Sequence, residues 1–137
     1  MPARCLLYYI TDRTAFADDE PTRRRRLLEK IAEAARAGVD YIQLREKDLS
    51  TRDLELLAHE AVTLLNQLRT GHKSLPTALL INHRTDVALA TGSDGIHLRA
   101  NTRRKGCYIQ PLGARNSILD RFGQKLSCCI RQVFIER

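Results

Sequence analysis

The chain has 137 residues, of which 43% are hydrophobic and 28% charged, a composition that fits one globular domain with a modest core and excludes global disorder. No apolar run approaches the roughly 18–20 residues needed to span a bilayer, so a membrane protein of the helical kind is excluded. The net charge is +7, but residues 1–100 hold 15 Lys/Arg against 14 Asp/Glu while residues 101–137 hold 8 against 2, so the basic excess lies in the tail and argues against a nucleic-acid surface.

The start of the chain, Met1 to Thr11, has no small-residue cleavage site and runs straight into Asp12-Arg13. It reads as a strand and not as a signal peptide, and a cytoplasmic location is the expectation. Within it Cys5 to Ile10 is a short apolar and aromatic run that predicts a buried strand. Asp18, Asp19, Glu20, Pro21 and Thr22 announce a helix. Leu27, Leu28, Ile31, Ala34 and Ala35 recur at helical spacing, and Gly38 supplies a left-handed cap. Arg23 to Arg26 is the densest charge run. It falls on the first turn of that helix with no aromatic residues interleaved, so a solvated face is the better reading.

Val39 to Leu44 predicts a second strand. Ser50-Thr-Arg-Asp53 is a capping box opening a helix whose stripe is Leu54, Leu57, Ala61, Leu64, Leu65 and Leu68. Thr77 to Asn82 predicts a third strand, Arg84 to Thr91 a brief helix closed by Gly92, and Asp94 to Leu98 a fourth strand. From Asn101 onward the periods fade. Ile118 to Phe122 and Cys129 to Ile135 are the candidate short elements there. Cys107, Cys128 and Cys129 have neither Cys-x-x-Cys spacing nor a nearby His, so they fit neither a zinc site nor a redox motif. The break divides the chain into a patterned region, 1–100, and a basic, cysteine-containing tail, 101–137. A divergent tail and a frame change in the coding DNA account for it equally.

Strand–helix alternation gives parallel pairing with right-handed crossovers, and leaves a doubly wound sheet or a (β/α) barrel. Each strand ends in reactive residue types: Thr11-Asp12, Gln43-Leu44-Arg45, Asn82-His83 and His97. Both folds gather ligand groups at that end. No Gly-x-Gly-x-x-Gly follows the first strand, which favours the barrel. Strand parity sets Gln43, Arg45 and Lys47 on one face, opposite Ile42 and Leu44. Two cations and an amide converging at a barrel mouth suit a pyrophosphate; charged residues marking where a strand reaches water are the bland alternative. Asn82 is either a ligand group or an N-cap, and His97 either a hydrogen-bonded core residue or a catalyst.

Leu7 to Arg13, Ala37 to Asp48, Leu80 to Ala90 and Asp94 to Leu98, in this order and spacing, resemble the thiamine phosphate synthase and thiazole tautomerase family. The resemblance covers about residues 5–100. It implies an α/β chain of the TIM (β/α)8 barrel type, here about four strand–helix units of an incomplete barrel. It implies a transferase of thiamine biosynthesis that joins an aminopyrimidine diphosphate to a thiazole phosphate, giving thiamine phosphate and pyrophosphate. Arg45, Lys47 and His97 take the catalytic positions, and Gln43, Arg45, Lys47 and Asn82 the substrate-binding ones. The family uses Mg²⁺, but His83 and Thr102 stand at its usual Asp positions. Neutral groups there weaken a hard cation's site, so no metal ligand is assigned. A thiazole tautomerase-like protein using a His for proton transfer, and an inactive truncated fragment, are the alternatives. The expected partners are small phosphorylated substrates, with no nucleic acid and no membrane, and self-association is expected through open barrel edges.

Overall fold

In the computed structural model residues 6–71 and 77–98 are described in full, together with the backbone of 108–111 and 130–132. The elements run β1 (Leu6–Ile10), a single 3₁₀ turn (Arg13–Ala15), α1 (Glu20–Arg36), β2 (Tyr41–Leu44), α2 (Thr51–Gly71), β3 (Ala78–Asn82), α3 (Thr85–Thr91), β4 (Gly95–Leu98), β5 (Tyr108–Pro111) and β6 (Ile130–Gln132). They form one sheet in the order β5-β4-β3-β2-β1-β6. All neighbours are parallel except β4 and β5. Strands thus stand at both edges from the segment beyond residue 100. Of the elements anticipated there, β6 falls inside 129–135, and 118–122 lies outside the described residues, as does Cys5.

The helices begin and end as their residues dictate. In the capping box of α2 the Ser50 hydroxyl accepts from the Asp53 N–H at 3.1 Å and donates to its carboxylate at 2.6 Å. Gly38 and Gly92 carry φ of +84° and +67° after α1 and α3, the left-handed turn that a glycine makes without a Cβ clash. After each glycine comes one residue and then an aspartate, and the two aspartates do the same thing. Asp40 donates its N–H to the Leu7 carbonyl at 3.0 Å and accepts from the Leu7 N–H at 2.9 Å. Asp94 donates to the Leu79 carbonyl at 3.1 Å and accepts from the Leu79 N–H at 2.8 Å. The β1-α1-β2 and β3-α3-β4 units are therefore clipped shut at the end opposite the strand C-termini. Arg69 reinforces the second clip, reaching Asp94 at 2.7 Å and the Thr77 carbonyl at 2.6 Å.

One face of the sheet carries the three α-helices of the described residues. Tyr9, Ile42, Leu44, Leu79, Ile81 and Ile96 pack there against Leu27 and Ile31 of α1, Leu57 and Leu65 of α2, and Val87 of α3. The other face is a smaller layer of Tyr8, Tyr41, Ala78 and Leu80 flanked by Leu6 and Ile10. A doubly wound sheet would place helices on both faces, so helices on one face with tyrosines on the other match part of a barrel wall. Among the described residues no helix is long and apolar enough to cross a membrane. Within the arginine run Arg25 and Arg26 are exposed, while Arg23 and Arg24 are half-buried. Arg24 pairs with Glu60 of α2 at 2.9 Å and Arg26 with Asp18 at 2.7 Å.

Candidate functional site

Strand parity along β2 sets the floor of the site. Gln43 lies on the inner face with Tyr41 and is buried. Its Nε2 donates to Asn82 Oδ1 at 2.9 Å across the β2–β3 seam. Asn82 therefore serves the floor and not a helix N-terminus. Position 84 precedes the first residue of α3, and it makes no side-chain cap. Asn82 pairs in register with His97 of β4, whose ring meets Tyr8 edge-on at 6.4 Å between centroids. Among the described residues His97 Nδ1 is buried without a hydrogen-bond partner. Its pKa lies below the ordinary 6.5, through burial first, then the charges of Arg45 and His83. Burial, with Arg45 and His83 nearby, thus favours the neutral imidazole.

Arg45 and Lys47 are exposed on the rim, and His83 is exposed beside them. His83 has φ +59°, the left-handed region, and its N–H donates to the His97 carbonyl at 3.0 Å. Lys47 borders two hollows. One of about 300 Å³ is shared with Asn82, His83 and Arg84, and one of about 380 Å³ with Thr11, Asp12, Thr14 and Arg45. The six expected positions, Gln43, Arg45, Lys47, Asn82, His83 and His97, thus gather at one end of the sheet; Thr102 lies outside the described residues.

Two residues of this region carry a role that motif reading does not assign. Glu46, between the two exposed cations, turns inward with its side chain only 1% exposed and meets Arg13, 4% exposed. The Glu46 carboxylate accepts from the Thr11 hydroxyl at 2.8 Å, the Arg13 N–H at 3.1 Å and the Arg13 Nη1 at 3.2 Å. Arg13 also forks onto Asp48 at 2.7 and 2.9 Å and reaches Glu20 at 2.6 Å. The bond to Asp48, with those to Glu20 and Glu46 behind it, pushes the Arg13 pKa far up and pulls that of Asp48 down. Burial lifts Glu46 above the usual carboxylate range despite its donors. The signal was present in the alternation: parity sends Glu46 opposite to Arg45 and Lys47, into protein.

The carboxylates nearest the mouth are already engaged, Glu46 and Asp48 by Arg13, Asp12 by Thr14 and Asp86 by Arg84. Among the described residues no three His, Cys, Asp or Glu groups cluster to hold a metal. Amide, imidazole and cationic groups share the mouth with Asp12, Glu46 and Asp48, whose carboxylates are turned to Thr14 and Arg13.

The family model for thiamine monophosphate synthase matches residues 7–111. The thiamine-phosphate synthase of Syntrophomonas wolfei is 41% identical over 92 residues, covering 67% of this chain and 38% of that protein. That of Azorhizobium caulinodans is 42% identical, covering 67% of this chain and 37% of its own. A solved thiamine phosphate pyrophosphorylase from Pyrococcus furiosus superposes with a TM-score of 0.51 at 29% identity, over 69% of this chain and 39% of that one. The chain thus spans about two-fifths of the length of these relatives. Its α/β sheet, with helices on one face, is consistent with an incomplete barrel. The chain belongs to the thiamine monophosphate synthase family.

Proposed function

We propose that this chain forms the diphosphate-binding part of a thiamine phosphate synthase, which joins an aminopyrimidine diphosphate to a thiazole phosphate. The observation that carries the reading is the convergence of Arg45 and Lys47 over the Gln43–Asn82 floor. As the pyrimidine carbon parts from the diphosphate oxygen, the electron pair leaves with pyrophosphate. Arg45 offers that growing charge a bidentate fork and Lys47 a compact charge. Gln43, fixed by Asn82, orients the bound group, and neutral His97 beside Arg45 leaves the cation's charge undiminished for the anion. The engaged carboxylates argue against Mg²⁺ held by the described residues, and no step here depends on it.

Titration calorimetry of the chain with the aminopyrimidine diphosphate and with inorganic pyrophosphate tests this, alongside turnover of both substrates. Arg45→Ala is expected to weaken either ligand by about tenfold or more, the worth of one charge-assisted hydrogen bond. Unchanged affinity in that variant would sink the assignment. A thiazole tautomerase-like reaction is the second reading, favoured by His83 at the usual Asp position and by the unpartnered His97 Nδ1. Proton transfer by His97 without pyrophosphate affinity would select it. With either reading we propose a cytoplasmic protein of small phosphorylated substrates, and self-association through the sheet edges.

A further inference from the structure

We infer that the buried Arg13–Glu46 pair is a positioning clamp that aims Arg45 and Lys47 at the diphosphate, an inference that rests on the reading above. β2 ends at Leu44, so no ladder hydrogen bond of the sheet fixes residues 45–47. What fixes them is the β1–α1 connection. The Arg45 N–H donates to Thr11 Oγ1 at 3.1 Å, and the same hydroxyl donates onward to Glu46 Oε1 at 2.8 Å. Glu46 then accepts twice from Arg13, through its N–H and its guanidinium. Arg13 passes the grip to Asp48 on the far side of Lys47. Arg45, Glu46 and Asp48 are thereby held from one neighbouring loop, with Lys47 between the two held acids, Glu46 turned in and the cations on either side of it turned out.

The charge balance shows that the cluster works through geometry. Three carboxylates, Glu20, Glu46 and Asp48, converge on one guanidinium, so the group repels an anion instead of attracting it. A buried ion pair is also weak evidence of stabilisation, because desolvation offsets the attraction. Its gain lies in pre-ordering two long, flexible cations, which otherwise lose their freedom when the ligand binds. Arg13 and Glu46 are therefore positioning residues and touch no substrate.

The test is a double-mutant cycle on the full chain, with inorganic pyrophosphate as probe and calorimetry as readout. Glu46→Gln keeps shape and acceptor but drops the charge that grips Arg13. It is expected to weaken pyrophosphate about tenfold with Arg45 present and about threefold in Arg45→Ala, where Lys47 is the one cation left for the clamp to aim. A residue needed only for folding would weaken both backgrounds equally, and that result overturns the inference. If Arg45→Ala binds like the parent, the diphosphate reading itself fails and takes the clamp with it. If Arg45→Ala is weak while Glu46→Gln binds normally, only the clamp fails. Should Glu46→Gln not fold, Asp48→Asn at the half-exposed outer end carries the same cycle, with about a threefold loss expected and equal loss in both backgrounds against it.

Discussion

Replacing Asp94 by Ala removes the clip that closes the β3-α3-β4 unit, and its cost follows from the bonds it makes. The Leu79 N–H, buried in β3, loses its 2.8 Å acceptor, and stranding a buried N–H costs about 1–3 kcal/mol. Arg69, whose side chain is 20% exposed, loses its partner at 2.7 Å but keeps the Thr77 carbonyl. Breaking a fully buried pair costs about 3–5 kcal/mol, so the retained bond and partial hydration reduce this share to about 1 kcal/mol. The expected loss is about 3 kcal/mol for Asp94→Ala. For Asp94→Asn, whose amide oxygen still accepts from Leu79, about 1 kcal/mol is expected. Urea denaturation followed by circular dichroism measures both, as a lower midpoint at unchanged slope. Pyrophosphate affinity at saturating fold is expected to stay within about twofold, since the clip lies at the end of the sheet away from the mouth. Equal losses for Asn and Ala would show that the backbone grip contributes nothing, and would overturn this account of the clip. So would a loss for Ala below about 1 kcal/mol.

Two further outcomes are expected. His97 has a folded pKa below 6.5, so the unfolded chain binds more protons between the two values. Its contribution to stability is present above pH 6.5 and is lost as pH falls toward the folded pKa. NMR titration of the ring is expected to give a midpoint below 6.5 that rises in Arg45→Ala; a parent midpoint at or above 6.5 would show the imidazole to be neither buried nor facing a cation. At His83, φ +59° makes a β-branched residue costly, so His83→Val is expected to lose about 1–2 kcal/mol and His83→Gly less than about 1 kcal/mol. Reversal of that order in urea denaturation would show the turn to be relaxed by other means.

The alternation of strands and helices was legible because its signals are local: the Ser50–Asp53 box, the glycines after α1 and α3, and the stripes that Leu27, Ile31, Leu57 and Leu65 place on one side of each helix. The floor of the site was legible for the same reason. Strand parity alone sends Gln43 and Arg45 to the face opposite Leu44. What escaped reading are pairings across long separations. Nothing near Arg13 in the sequence says that its partner lies thirty-three residues on at Glu46, nor that Asp40 and Asp94 grip Leu7 and Leu79. Charged residues at strand ends look alike whether they reach water or each other, and only the packing of neighbouring loops separates the two. The bounds of β2 and β3 also begin later than the apolar runs suggest, at Tyr41 and Ala78. Asp40 is spent on the clip and Thr77 on the Val39 carbonyl through its hydroxyl, and neither enters a strand.

The left-handed turn at position 83 has an evolutionary consequence. A backbone at φ +59° admits few residue types, chiefly glycine, asparagine, aspartate and histidine. Apart from glycine, these are the types that bind cations, accept protons or contact anions. Glycine aside, the turn therefore favours chemically useful side chains at the mouth, and it lets them replace one another without disturbing β3 or α3. Histidine and aspartate are two such types: exchanging one for the other would change the ligand chemistry at the mouth and leave the turn as it is.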